Sequence, residues 1–318
     1  MQRRKLGRTP FEVAPLAFGG NVFGWTADEP TSFRLLDRFV EGGGNLIDTA
    51  NSYSRWAPGH VGGESETVIG RWIARRNRHD DVVIATKVGS DMGQGEKCLR
   101  REHILQHVDD SLRRLNVDAI DLYQSHWDDE KTPFEETLET YSRLIEQGKV
   151  RAIGASNLTA QRLSAALDAS ARNGLPRYET LQPLYNLYDR DTFEGALRDV
   201  CLREDIGVIT YFSLGAGFLT GKYRSEKDFV KSPRGPGIKK YLNERGLRIL
   251  GALDDVAARV HATPAQVALA WLMAQPGVTA TIASATSLAQ LDDLLAAARL
   301  ALDEIDMQQL DEASRSNG

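Results

Sequence analysis

Short apolar runs alternate along the chain with longer stretches in which apolar positions recur at helical spacing, the pattern of βα units around a parallel sheet. Eight such runs occur: Ala14 to Phe18, Asn45 to Asp48, Val82 to Lys87, Ile120 to Ser125, Ala152 to Ser156, Thr180 to Pro183, Val208 to Tyr211 and Thr279 to Ile282. Several are apolar at consecutive residues, as strands covered on both faces must be. Between them, Glu102 to Leu115 predicts a helix: Ile104, Leu105, Val108, Leu112 and Leu115 share one face, and Asp109, Asp110, Arg113 and Arg114 lie elsewhere.

Helix starts can be read from capping chemistry. Thr132-Pro133-Phe134-Glu135 and Thr263-Pro264-Ala265-Gln266 each pair an N-cap threonine with proline at the first helical position and a capping-box partner, and Ser287 with Gln290 repeats the box. Before the first unit, Lys5 to Val13 reads as a small hairpin able to plug the bottom of a barrel. A connection rich in Lys, Arg, Gly and Pro runs from Thr220 to Leu242, and a loop of that length in a compact domain is usually functional.

Two architectures fit eight βα units, the closed (β/α)8 barrel and the open doubly wound sheet. The second carries GxGxxG after its first strand. Here the nearest text, Gly215-Ala216-Gly217-Phe218-Leu219-Thr220-Gly221, has the wrong last spacing and follows the seventh run. The expected fold is therefore an α/β (β/α)8 TIM barrel spanning 1–318 as one domain, with an N-terminal β-hairpin and a long loop after strand seven.

Composition narrows the function. The 318 residues are 42% hydrophobic and 26% charged, enough to bury a core without covalent staples. With 39 basic and 44 acidic side chains the net charge is -5, which gives no field that would draw a phosphate backbone, so nucleic acid is not an expected partner. Cys98 and Cys201 lie far apart without CxxC spacing, which fits a reducing cytoplasm and no cysteine-rich zinc site. The basic start Met1-Gln2-Arg3-Arg4-Lys5 is followed by Leu6-Gly7-Arg8-Thr9-Pro10 rather than an apolar stretch, so no secretion signal and no membrane association are expected.

In a barrel the reactive groups come from the C-terminal ends of several strands. Three consecutive units supply them: Asp48 and then Tyr53 after strand two, Lys87 after strand three, His126 after strand four. A tyrosine has a pKa near 10 in water and is a reluctant acid at neutral pH. An ammonium beside it favours the phenolate, so Lys87 is expected to lower the pKa of Tyr53, Asp48 to hold Lys87 charged, and His126 to polarise a substrate oxygen. Such a set suits proton transfer at a carbonyl or alcohol oxygen. Taken singly, these residues also have ordinary readings as a helix cap, an internal ion pair and a core histidine; ion-pair networks at strand ends do occur without catalysis.

Asp48-Thr49-Ala50 with Tyr53, Thr86-Lys87 and Ser125-His126 resemble the catalytic tetrad of the aldo-keto reductases. Gly154-Ala155-Ser156-Asn157, Leu181-Gln182-Pro183-Leu184-Tyr185-Asn186 and Leu219-Thr220-Gly221-Lys222-Tyr223 occur in that family's order as well, so the resemblance covers nearly the whole chain. It implies a nicotinamide amide held by Ser156, Asn157 and Gln182, with Tyr211 stacked on the ring and Gly20 and Asn21 approaching the nicotinamide side. It implies a pyrophosphate wrapped by Phe212, Leu214, Gly215, Gly217 and Lys222. Tyr211-Phe212-Ser213-Leu214 departs from the aromatic-Ser-Pro-Leu of many relatives, which removes one hydroxyl from that loop.

At the adenosine end the resemblance, strongest to the branch of the potassium-channel β subunits, places Thr286, Gln290 and Asp293. It implies NADP, with Arg234 the chief cation for a 2′-phosphate beside Lys239 and Lys240. NAD stays open because Ser284-Ala285-Thr286-Ser287 supplies no Lys or Arg. Trp25, Trp56 and Trp127 follow strand one, the tyrosine and the histidine, and are the candidate aromatic wall for a small aldehyde, ketone or sugar.

His103 and His107 stand four apart on a helix, but Ile104 occupies the place where HExxH needs glutamate, so no metal is expected. GxSxG is absent, and Gly42-Gly43-Gly44 reads as a helix end. The expected activity is NAD(P)(H)-dependent oxidoreduction of a carbonyl or alcohol with Tyr53 as proton donor and acceptor. The alternatives are a cofactor-binding regulatory subunit with slow turnover, and a non-redox barrel lyase or isomerase that would bind no nicotinamide. Nothing in the residues fixes the oligomeric state.

Overall fold

A computed structural model describes residues 1–231 and 235–315. Its centre is a closed barrel of eight parallel strands: β1 (Leu16–Gly19), β2 (Leu46–Asp48), β3 (Val83–Val88), β4 (Ile120–Ser125), β5 (Val150–Ser156), β6 (Thr180–Gln182), β7 (Gly207–Thr210) and β8 (Val278–Ala283). They pair in chain order, and β8 closes on β1 through Thr281 opposite Leu16. The strands lie within one or two residues of the apolar runs.

Strand periodicity decides what faces inward. Ala17, Leu46, Val83, Ala85, Leu122, Ala152, Ile209, Ala280 and Ile282 pack into one inner cluster, whereas Phe18, Ile47, Ile84, Tyr123, Ile153 and Val208 belong to the outer core beneath the helices. Side chains alternate along a strand, so counting by twos from the inner layer carries the same face to Asp48, Lys87, His126, Ser156 and Tyr211. Ser125, on the opposite face, bonds outward to the hydroxyls of Tyr141 (2.9 Å) and Tyr178 (2.8 Å).

The helices around the barrel include α1 (Glu29–Glu41), α2 (Glu64–Arg76), α3 (Arg101–Leu115) and α4 (Phe134–Glu146), then α5 (Ala160–Asn173), α6 (Ala196–Arg203) and α7 (Glu244–Arg259). Helices α8 (Pro264–Met273), α9 (Leu288–Ala297) and α10 (Glu304–Ser314) complete the chain. The capping box at Thr263 forms with both reciprocal bonds. The other two boxes do not. Helix α4 starts after Pro133 without a side-chain cap, and Thr132 Oγ1 is turned to Asp129 Oδ2, to which it donates (2.7 Å). Ser287 caps α9, but Gln290 accepts from the backbone and hydroxyl of Thr286, one residue too early for a box.

The N-terminal hairpin pairs Arg4–Lys5 with Glu12–Val13, and its Leu6 and Val13 join the inner cluster, so it closes the barrel floor. Gly7 makes this possible: it has φ +56, and a Cβ there would sit 2.3 Å from the carbonyl oxygen of Glu179. After β7, the long connection carries three 3₁₀ segments, Gly215–Thr220, Glu226–Lys231 and Gly235–Tyr241, anchored by the buried Phe218, Ile238 and Tyr241.

Candidate active site

Asp48, Lys87 and Tyr53 meet at the C-terminal mouth of the barrel. Lys87 is 0% exposed, and its ammonium spends all three hydrogens: on Asp48 Oδ2 (2.7 Å), the carbonyl of Thr49 (2.7 Å) and the hydroxyl of Tyr53 (2.8 Å). Tyr53 donates to the same carboxylate oxygen over a longer 3.1 Å, and Gln182 Nε2 donates to Oδ1 (2.8 Å). A buried ion pair is tolerable only when its remaining polar atoms are satisfied in this way.

The electrostatics differ from expectation in one respect. Burial, and then the charge and hydrogen bond of Asp48, push the Tyr53 hydroxyl well above its ordinary value rather than below it. Lys87 at 2.8 Å does not reverse this, because burial and the Asp48 carboxylate together outweigh it. Tyr53 is thus held protonated, the state a proton donor needs. Burial lowers Lys87 against the opposing pull of Asp48, and burial followed by the charges of Lys87 and Lys97 drives His126 well below the usual histidine range. His126 is therefore neutral at pH 7, with its ring 6.0 Å from that of Tyr53.

These groups open into a cavity of about 1020 Å³ that runs from Trp25 and Trp56 past the tetrad to Gln290 and Asp293. Trp25 meets Trp56 edge-on (5.5 Å, 82°), Trp127 lies nearly parallel to the His126 ring (5.5 Å, 13°), and all three tryptophans line the cavity. Beside them Asn157, at φ +59, donates to the carbonyl of His126 (2.9 Å) and accepts from the hydroxyl of Tyr211 (2.7 Å), which pins the Tyr211 ring against the cavity. Ser156 donates to the Gln182 carbonyl (2.7 Å).

Further along, Phe212, Gly215, Ala216 and Gly217 all have positive φ, and the N–H groups of Gly215 and Gly217 donate within the loop to the carbonyls of Phe212 (2.7 Å) and Leu214 (2.9 Å). Phe212, Leu214, Gly217 and Lys222 line the cavity there, with Thr286, Gln290 and Asp293 at its far end. Two expected residues stand behind the wall. Gly20 turns its carbonyl to Ser65 (2.7 Å) while Asn21 faces the cavity, and Gly215 lies under the loop near Tyr241. Arg234 lies outside the described residues. Lys239 and Lys240 reach Glu226 (4.0 Å) and Asp189 (3.7 Å) and do not line the cavity.

The model of the Aldo/keto reductase family matches residues 15–315. The chain belongs to the aldo-keto reductase family. This aldo-keto reductase is 32% identical over 329 aligned positions to the protein tas of Escherichia coli, covering 96% of this chain and 95% of that one. It is 33% identical to the aldo-keto reductase YhdN of Bacillus subtilis, over 87% of this chain and 81% of the relative. It is 31% identical to a protein of Arabidopsis thaliana named as a probable voltage-gated potassium channel subunit beta, over 92% and 90% of the two chains. Membership implies nicotinamide-dependent carbonyl oxidoreduction, and the donor set fits such a cofactor. Gln182 keeps Oε1 for a carboxamide at the cavity wall, Tyr211 offers a fixed ring face, and the ammonium of Lys222 suits phosphate oxygens.

The sequence reading of this aldo-keto reductase omitted several wall residues: Ser213, Ala216 and Thr220 in the loop, and Thr263, Pro264 and Ala265 at the start of α8. It also omitted Ser90, whose hydroxyl lies 2.9 Å from His126 Nδ1. Ser90 follows the end of β3 by two residues, so the strand-end rule that marked Lys87 was the signal available. No described helix is long and apolar enough to cross a membrane.

Proposed function

We propose that the protein catalyses reversible reduction of a small aldehyde, ketone or sugar carbonyl with NADP(H), Tyr53 giving the proton to the carbonyl oxygen and retrieving it in the reverse direction. The observation that carries this is the Tyr53 hydroxyl at the wall of a cavity whose aromatic side could seat a substrate, held 2.8 Å from a fully buried ammonium. The bound nicotinamide supplies or accepts the hydride. The chain's own residues handle the proton. Tyr53 turns its hydrogen from the long bond with Asp48 to the substrate oxygen, and Lys87 holds the oxygen left behind as phenolate. His126, neutral and beside Tyr53, donates a second hydrogen bond to the same substrate oxygen.

NADP(H) is preferred over NAD(H) on the family pattern, and Arg234 is the cation assigned to the 2′-phosphate. The buried free thiols Cys98 and Cys201 suit work in the reducing cytoplasm. The similarity to a potassium channel β subunit supports a second reading, a cofactor-binding regulatory subunit with slow turnover. Fluorescence titration with NADPH and NADH, followed by an aldehyde and sugar panel, separates the two. A reductase consumes NADPH, and Tyr53→Phe lowers kcat by about 10²- to 10⁴-fold while leaving cofactor affinity in place. Tight NADPH binding with no turnover on any carbonyl would favour the subunit. Equal affinity for NADH removes the assignment of Arg234.

A further inference from the structure

Beyond the end of β3, Gly89 takes φ +104 and turns the chain so that Ser90 faces the barrel mouth, where it is 7% exposed. Its hydroxyl oxygen is the meeting point of three polar groups. The Trp127 indole N–H donates to it (3.2 Å), as does the Ser52 hydroxyl (3.3 Å), and His126 Nδ1 lies 2.9 Å away. An indole nitrogen is a donor only, so Trp127 holds one lone pair of the Ser90 oxygen, and the longer contact from Ser52 is directed at the other. The one hydrogen of Ser90 is left for His126. With that hydrogen directed at His126, Nδ1 is the accepting nitrogen, and in a neutral imidazole the proton then resides on Nε2. That nitrogen lies on the side of the ring away from Ser90, and His126 lines the cavity.

We propose that Ser90 is a positioning residue that fixes His126 as its Nε2–H tautomer, so that the imidazole presents a hydrogen-bond donor to the carbonyl oxygen protonated by Tyr53. The opposite tautomer would aim a lone pair at that oxygen and repel it. Trp127 has a double role in this arrangement: its ring forms cavity wall beside His126, and its N–H occupies the Ser90 lone pair that would otherwise accept from Nδ1. Burial, which keeps the ring uncharged, works in the same direction. The catalytic consequence rests on the carbonyl-reductase reading above; the tautomer itself does not.

The test is nitrogen NMR of the full chain labelled at histidine, with the His126 signals assigned by His126→Gln, alongside steady-state kinetics. The wild-type ring is expected to show a protonated Nε2 and a pyridine-type Nδ1. Ser90→Ala should mix the two tautomers and lower kcat/KM for an aldehyde by about 10²-fold, with NADPH affinity unchanged. Ser90→Thr, which keeps the hydroxyl, should restore the single tautomer and most of the rate. A wild-type ring protonated on Nδ1 overturns the proposal whatever the activity. So does a Ser90→Ala enzyme with a single Nε2–H tautomer and wild-type kcat/KM. Should Ser90→Ala fail to fold, the wild-type spectrum and the Ser90→Thr rate still decide. A wild-type Nε2–H ring in a protein that reduces no carbonyl would sink the functional reading and leave the Ser90 assignment standing.

Discussion

Replacing Lys87 by methionine keeps the reach of the side chain and deletes one charge from a place where neither partner meets water: Lys87 is 0% exposed and Asp48 1%. Three bonds from the ammonium disappear, and Asp48 is left charged with only Tyr53 and Gln182 to hold it. Removing one member of a buried pair costs about 3 to 5 kcal/mol. For a chain of this size, at about 2 °C per kcal/mol, Tm should fall by roughly 6 to 10 °C. Asp48→Asn should cost a similar amount by stranding the ammonium. The double variant removes both charges, so its loss should fall short of the sum of the singles by about 1 to 3 kcal/mol. Thermal unfolding of the four proteins at neutral pH measures the cycle. In the same samples Lys87→Met should lower kcat by about 10²- to 10⁴-fold, since the phenolate of Tyr53 loses the cation at 2.8 Å. A Lys87→Met protein within 1 °C of wild type, or strict additivity in the double variant, refutes the view that this pair is both buried and energetically coupled.

Two further outcomes concern stability away from the tetrad. His103, packed 4.2 Å from His107, has its pKa lowered to about 4, by burial first and then by the charges of His107 and Arg100, against an unfolded value near 6.5. Between pH 6.5 and 4 the unfolded chain binds a proton that the folded chain refuses, so stability should fall as pH falls through that window. Urea midpoints across it should decline less steeply for His103→Gln, and an unchanged slope would exclude His103 as a contributor. Gly70 lies inside α2, where alanine would ordinarily stabilise by about 1 kcal/mol. A Cβ there would stand 2.0 Å from the carbonyl oxygen of Arg114 at the end of α3, a backbone atom that cannot swing away. Gly70→Ala should therefore destabilise by roughly 1 to 3 kcal/mol, read as a lower urea midpoint; a rise would show that α2 and α3 separate freely.

Much of the fold was legible because a parallel barrel strand is covered on both faces and reads as an unbroken apolar run, and because the polar residues that end such runs are the ones a barrel mouth is built from. Asp48, Lys87 and His126 were visible for that reason, and Tyr53 because it follows the first of them in a recognisable motif. Capping was legible only in part. Thr263 keeps its box with Gln266 while its hydroxyl also donates to Asp293, whereas Thr132 and Gln290 turn to Asp129 and Thr286, and tertiary packing made those choices.

What the sequence determined by itself was therefore which residues reach the mouth, since strand alternation and strand length are local properties. What only the tertiary structure decided was how those residues act on one another. The protonated state of Tyr53 depends on burial and on the Asp48 carboxylate beside it, and the tautomer of His126 depends on Ser90, Ser52 and Trp127 arriving from three different strand ends. Barrel closure brings those ends within hydrogen-bond reach, and charge compensation and lone-pair occupancy exist only once the atoms are that close.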